Sequence, residues 1–264
     1  MAELPREDVE SLRLAKRTLE TPDLTMRIAE KIGVPIEALV KRLPDAAQRT
    51  IADGTRKALE AALAAALRTL GPGRRPPSDR LHRSLVLASG ALGGAAGLPG
   101  LVLELPFSLT VMLRSIADHA AAQGEDLSEV ASRLECLAVF AYGSAPAQRV
   151  GESAYFATRA ALARAVSQAA ELILERGLAG ALGETGAPAM TGLVARIAQR
   201  LGVTVTDKAA AQLVPLLGAA GGAAVNALFI RHYQDTAWAH FTVRRLERAH
   251  GTDAVRLAYE AAAP

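Results

Sequence analysis

Two stretches of this chain, residues 84–103 and 209–230, carry no charged side chain over about twenty positions each, and both are studded with glycine. Twenty helical residues reach about 30 Å at 1.5 Å per residue, the thickness of a bilayer's hydrocarbon core. A helix that is apolar on every side has to be wrapped, by lipid or by other helices. The first segment contains Gly90, Gly93, Gly94, Gly97 and Gly100, and the second contains Gly218, Gly221 and Gly222. Gly90-xxx-Gly94, Gly93-xxx-Gly97 and Gly218-xxx-Gly222 have the spacing at which absent side chains let helix backbones approach closely. The two segments are therefore expected to pack on each other at the centre of the protein. Pro99 and Pro215 interrupt them, Gln212 and Asn226 lie in the second, and neither is flanked by Trp or Tyr at both ends. Membrane contact is expected rather than a simple span.

The rest of the chain is helical by the same reasoning. Half of its residues are hydrophobic but only 4% are aromatic, so alanine and leucine dominate the packing. Both are strong helix formers, whereas strands favour β-branched and aromatic residues. Val203-Thr204-Val205 is the one short hint of alternation. The expected fold is all-α, a multi-helix bundle around two central Gly-rich apolar helices.

Punctuation sets the order. Residues 6–20 read as a helix, short helices end by residue 43, and Pro44-Asp45 opens a longer one to Leu70. Gly71-Pro72-Gly73-Arg74-Arg75-Pro76-Pro77-Ser78 breaks helices at several positions. It divides the chain into an N-terminal helical region (1–70), a linker (71–80) and a helical core (81–264). Arg114 and Asp118 are four apart and could pair along a helix. Gly124 suits a C-terminal cap, and Asp126-Leu127-Ser128-Glu129 has capping-box spacing. A helix is expected over about 150–177 and a short one over 190–201. Thr204–Asp207 then carries a second cap-like signal. The second apolar segment continues as a polar helix to about Ala249, where Gly251 stops it, and a short helix over 252–262 ends the chain.

Chemical signatures are sparse. The net charge of +3 is spread over 30 cations and 27 anions, without the basic stripe and stacking aromatics of a nucleic-acid binder, so no nucleic-acid partner is expected. Arg244, Arg245, Arg248 and Arg256 form the most basic region, which could face anionic headgroups. The single cysteine, Cys136, excludes an intramolecular disulfide, fits a reducing cytoplasm and reads as a buried thiol. The polar N-terminus has no signal-peptide pattern. His232 and His240 are eight apart, no Cys/His set has ligand spacing, and there is neither a nucleophile elbow nor a phosphate loop. No metal or cofactor is expected. The candidate polar cluster is Glu104, Arg114, His119, Asn226, His240, Arg244 and Glu247. His240, Arg244 and Glu247 share one helix face, as a polar site or as an interhelical ion-pair network. His119, beside Asp118, is a candidate base.

Particular runs resemble the EcsC family. They are Ser89-Gly90-Ala91-Leu92-Gly93-Gly94, Gly97-Leu98-Pro99, Glu104-Leu105-Pro106, Met112–Ala117, Gly124-Glu125-Asp126 and Cys136–Phe140. A second block runs from Ala209 through Val214-Pro215, Gly218–Ala223, Asn226 and Phe229, and on through His240-Phe241-x-Val243–Arg248 to Gly251, Val255 and Tyr259. Tyr142-Gly143-Ser144 departs from the Leu-Gly-Gly often found there. The resemblance implies a bacterial protein of a family named for a component encoded beside an ABC transporter, some of whose members carry a peptidase label.

Three functional expectations follow. In the first, the protein is cytoplasmic and peripheral on the inner face of the cell membrane. Its apolar segments then contact lipid or a membrane protein, a transporter component among the candidates, and its basic C-terminal helix lies at headgroup level. In the alternative, a soluble hydrolase, Glu104, Arg114, His119 and His240 converge on one pocket. A purely structural interaction module is the third reading.

Overall fold

The computed structural model describes residues 4–20, 24–71, 77–142, 153–182, 187–211 and 218–262. Among these the chain forms helices and no strand: α1 (Arg6–Glu20), α2 (Leu24–Ile32), α3 (Ile36–Val40), α4 (Asp45–Thr69), α5 (Asp79–Ala95), α6 (Gly97–Ala122), α7 (Val130–Tyr142), α8 (Ala154–Leu182), α9 (Ala187–Ala211), α10 (Gly218–His250) and α11 (Thr252–Ala261). The fold is an all-α multi-helix bundle. Glycine sets several of its ends. Gly124 takes φ +84°, and the amides of Gly124 and Glu125 donate back to the carbonyls of Ala121 and Ala120, closing α6 with a left-handed cap. Gly251, at φ +87°, separates α10 from α11. Gly177, at φ +68°, breaks α8 internally.

α10 is the axis. Its 33 residues make a rod about 50 Å long. It packs most extensively on α5, and also on α1, α6, α7 and α11, while α4 packs on α6 and α9. The core is built of small and aliphatic side chains: Ala58, Ala62, Leu109, Ile116, Ala138, Ala169, Ile197 and Ala237 are fully buried. Ile51 and Leu59 of α4 and Leu12 of α1 belong to the same hydrophobic cluster as Val225 and Phe229 of α10. Residues 72–76 of the expected linker lie outside the described residues.

Several sequence expectations need correction. Residues 84–103 are not one helix. Gly97 adopts φ +64°, a conformation closed to most side chains, and folds α5 back on α6 as a helical hairpin. Residues 209–230 are described in two pieces. Ala209–Ala211 end α9 and residues 218–230 begin α10, while 212–217, with Gln212 and Pro215, lie outside the described residues. The expected break at 202–207 does not occur. α9 runs through it, because Val205 and Lys208 are buried against other helices and Thr25 of α2 donates to Asp207 at 2.6 Å. Asp126 caps a turn rather than a helix, accepting from the amide and hydroxyl of Ser128 (2.8 and 2.7 Å) before α7 begins at Val130. Arg114 reaches Thr69 of α4 at 3.0 Å rather than Asp118, which accepts instead from the amide of Ser78.

Candidate functional site

Three features stand out: two buried polar centres and one exposed apolar hairpin. The first centre lies where α5, α6, α9 and α10 meet. Lys208 Nζ sits 2.8 Å from Glu104 Oε2, with both side chains almost wholly buried. Asn226 Nδ2 donates to Glu104 Oε1 and to the Val86 carbonyl, both at 2.7 Å, and Ser89 Oγ donates to Glu104 Oε1 at 3.2 Å. Two acceptors around that nitrogen fix the orientation of the amide. The Lys208 ammonium also stands 5.5 Å from the Phe229 ring centroid, within cation–π range. Burial pushes the Lys208 pKa down, against the opposing charge and hydrogen bond of Glu104. The arrangement neutralises the one acid that α6 carries between Gly97 and Leu113, so that α6 packs on its neighbours without an unpaired charge.

The second centre lies between α7, α8 and α10. His240 is fully buried; its Nδ1 lies 2.8 Å from the Tyr155 hydroxyl and its Nε2 3.5 Å from Glu135 Oε2. Tyr142 donates to the same carboxylate at 3.1 Å. Burial depresses the His240 pKa more than Glu135 raises it, so the ring is neutral at pH 7. Burial would raise the Glu135 pKa, but the hydrogen bond and charge of His240 and the charges of Arg244 and Arg159 outweigh it and bring it to about 2. Around this core run paired ions. Arg159 grips Glu247 through two bonds of 2.7 Å, and Arg244 grips Glu125 at 2.9 and 3.0 Å. Arg248 also bonds Glu125, and Arg245 bonds Gln123 at 3.1 Å.

These contacts sort the sequence candidates. Glu104 and Asn226 meet directly, and His240 and Arg244 share Glu135. Glu247 faces Arg159 instead. His119 ties the open end of the hairpin by its 3.1 Å contact with Asp79. The four residues of the expected hydrolase pocket do not converge. Glu104 and His119 stand fifteen residues apart on α6, about 22 Å of helical rise. Arg114 serves α4, and His240 sits in its own enclosed cluster. The arginines expected at headgroup level are committed elsewhere: Arg244 and Arg248 to Glu125, Arg256 to Glu260 at 3.0 Å. Cys136 is fully buried, and its thiol pKa is pushed well up by burial. Among the described residues no group of three or more His, Cys, Asp or Glu side chains is placed to hold a metal ion.

Sequence reasoning missed Lys208, Ser89, Glu135, Tyr142, Tyr155 and Arg159. Glu135 carried a signal, as the one acid inside the apolar run 134–142. Nothing along the chain marks Arg159, whose partner is 88 residues away.

The glycines bring α5 and α10 together. A Cβ on Gly90 would stand 2.6 Å from the Gly222 carbonyl oxygen, and one on Gly222 would stand 2.8 Å from the Gly94 Cα. Gly93 backs onto Glu104, where an added Cβ would lie 3.2 Å from the carboxylate stem. Gly97 makes the turn, and Gly218 and Gly221 lie in the first turn of α10.

The opposite faces of the hairpin helices are bare. Leu81, Leu85 and Leu92 of α5 and Leu103 and Phe107 of α6 are exposed, Leu92 by 77% and Leu103 by 81%. On α5, Leu81, Leu85, Ala88 and Leu92 recur at helical spacing, and on α6 so do Pro99, Leu103 and Phe107. α6 is long and apolar enough to cross a bilayer by length and composition, but 67% of that stretch is buried within the bundle.

A sequence model of the EcsC protein family matches residues 73–246, two thirds of the chain and all of the hairpin. Neither a curated protein nor a solved structure matches. The match spans α5 through most of α10, so the Glu104–Lys208 centre, the Glu135–His240 cluster and the exposed face fall inside it; by that match the chain belongs to the EcsC family.

Proposed function

We propose that the protein is a peripheral membrane-binding module on the cytoplasmic side of the cell membrane, and that the α5–α6 hairpin dips into one leaflet. The observation that carries this is the exposure of Leu92 and Leu103 beside the turn at Gly97. Large exposed apolar surfaces on a packed protein mark contact sites rather than accidents of folding. The depth is suitable. From Ala96 at the turn to Leu85 is eleven residues, about 16 Å, or half of a hydrocarbon core of about 30 Å. Beyond Leu85 the outward faces become mixed: Leu81 is still exposed, but so are Arg80 and Arg114, and Thr110 is half-buried, where headgroups would begin. Glu104 lies at the inserted level but is paired inward with Lys208, so no bare charge faces the acyl chains. The exposed apolar face would equally receive a transmembrane helix of a membrane protein such as a transporter component.

Vesicle flotation tests this. Wild-type protein is expected to float with phospholipid vesicles and to resist a high-salt wash. Leu92→Glu together with Leu103→Glu is expected to abolish flotation while leaving helicity and thermal unfolding close to wild type, since both side chains are already in solvent. A wild-type protein that stays in the dense fraction at all lipid compositions would end the membrane reading.

A further inference from the structure

At the other end of α10 the molecule carries a second amphipathic surface. α1 and α11 lie side by side, and between them runs an open groove. Its floor and walls are apolar: Ala258 lines it, and Leu14 and Leu257, one from each helix, are 50% exposed. Along its α1 edge stand Arg6, Arg13 and Arg17, at positions i, i+7 and i+11 of one helix face. All three are exposed, and none is paired with a carboxylate among the described residues, although Glu10 lies between them. This contrasts with the arginines at the end of α10, each of which is bonded. Two parallel helix walls, an apolar floor and a basic rim are complementary to a third helix that is apolar on one side and acidic beside it.

The groove does not face the surface proposed for lipid. Asp8 of α1 bonds His250 at 2.8 Å, and His250 lies 28 residues, about 42 Å, along α10 from Gly222, which packs against the hairpin. Tyr259 of α11 packs on Tyr155, which bonds His240, eighteen residues or about 27 Å from Gly222. A bilayer that receives the hairpin tip therefore lies away from the groove. We infer that the α1–α11 groove docks an acidic amphipathic helix of a partner protein, with Leu14 and Leu257 seating its apolar side and Arg6, Arg13 and Arg17 its carboxylates. The choice of protein over lipid as occupant rests on the membrane reading of the hairpin.

The test uses the full chain and a labelled helix-forming peptide of about five turns, with leucines on one face flanked by glutamates. A lysine-flanked version serves as control, and binding is read by fluorescence anisotropy. The glutamate peptide is expected to bind and to weaken with added salt, and the lysine peptide not to bind. The triple variant R6E/R13E/R17E is expected to lose about tenfold or more in affinity, and Leu257→Glu, on the other wall, to weaken binding independently of the arginines. Both variants should float with vesicles as wild type does. Equal binding of the two peptides, or of neither, overturns the proposal. So does loss of flotation in R6E/R13E/R17E, which would make the groove a lipid surface. Failure of the wild type to float, with arginine-dependent peptide binding intact, would remove the membrane reading and leave the groove's partner in place.

Discussion

The backbones of Gly90 and Gly222 approach so closely that a methyl group on Gly90 would lie 2.6 Å from the Gly222 carbonyl oxygen. It would also strike the Asn226 amide, which its bonds to Val86 and Glu104 hold in place, so neither the backbone nor that side chain can simply rotate away. Overpacking of this kind costs roughly 1–3 kcal/mol, occasionally more. Gly90→Ala and Gly222→Ala are each expected to lower the thermal midpoint by several degrees. Gly202→Ala is the contrasting case. It lies within α9 with nothing within 4 Å of an added Cβ, and replacing a helical glycine there should stabilise by about 0.5–1 kcal/mol. Differential scanning calorimetry of the three variants decides the matter; a neutral Gly222→Ala would contradict the observed approach.

The Glu104–Lys208 pair makes a different prediction, because each member exists for the other. Removing one leaves a buried charge without its counter-ion, at a cost of roughly 3–5 kcal/mol. Lys208→Met and Glu104→Gln should each be strongly destabilising in urea titrations. The double variant Glu104→Gln/Lys208→Met removes both charges while keeping an acceptor for Asn226 and Ser89, and should recover much of the loss, since neither charge is then left buried without its counter-ion. A double-mutant cycle with no coupling would show that the two groups are independently solvated.

The second centre gives the fold an acid-sensitive contribution. Burial holds the His240 pKa below its ordinary 6.5, so the unfolded chain takes up a proton at mildly acidic pH that the folded chain does not. Stability from this source is complete above about pH 6.5 and falls as pH drops below it. Glu135, held near 2, and Glu125, held below its usual range by Arg244 and Arg248 against the cost of burial, add a further loss below about pH 4.5. Asp207 and Asp235, whose pKa values burial raises, contribute with the opposite sign, regaining stability as they protonate. Subtracting His240→Gln from wild type isolates the first effect. Thermal midpoints are expected to fall between pH 7 and pH 5 in wild type and to fall less in the variant. Parallel curves for the two would contradict a histidine kept neutral by burial.

How far these features were legible in the sequence depends on whether their cause is local. Pro44, Gly124 and Gly251 act on the backbone where they stand, and the ends of α4, α6 and α10 were readable from them. The turn between α5 and α6 was not, because Gly90, Gly93, Gly94, Gly97 and Gly100 look alike along the chain. Only packing of the two arms makes Gly97 the turn, leaving Gly90 to touch α10 and Gly93 to touch Glu104. The cap-like run Thr204–Asp207 was overridden for the same reason, since burial of Val205 and Lys208 outweighs a weak local preference. Glu104 and Asn226 were visible as polar residues within or beside apolar runs, but their meeting depends on α10 lying against the hairpin. The ion pairs Arg159–Glu247 and Arg244–Glu125 join residues 88 and 119 apart, distances at which the chain carries no pairing signal.

The hairpin reading predicts depth as well as binding. The chain contains a single tryptophan, Trp238, which Trp238→Phe removes as a background signal. In that background Leu92→Trp and Leu81→Trp place reporters on the same outward face of α5, eleven residues or about 16 Å apart. Leu92 stands near the turn and Leu81 near the base, where His119 and Asp79 tie the two helices together. With vesicles the reporter at 92 is expected to shift its emission to the blue and to be quenched by lipids brominated deep in the acyl chain. The reporter at 81 should respond only to quenchers near the headgroup. Equal quenching at both positions by the deep probe would mean that the hairpin lies flat on the surface, buried along its length rather than tip first. Quenching at neither would leave the exposed leucines to a protein partner in the membrane rather than to lipid itself.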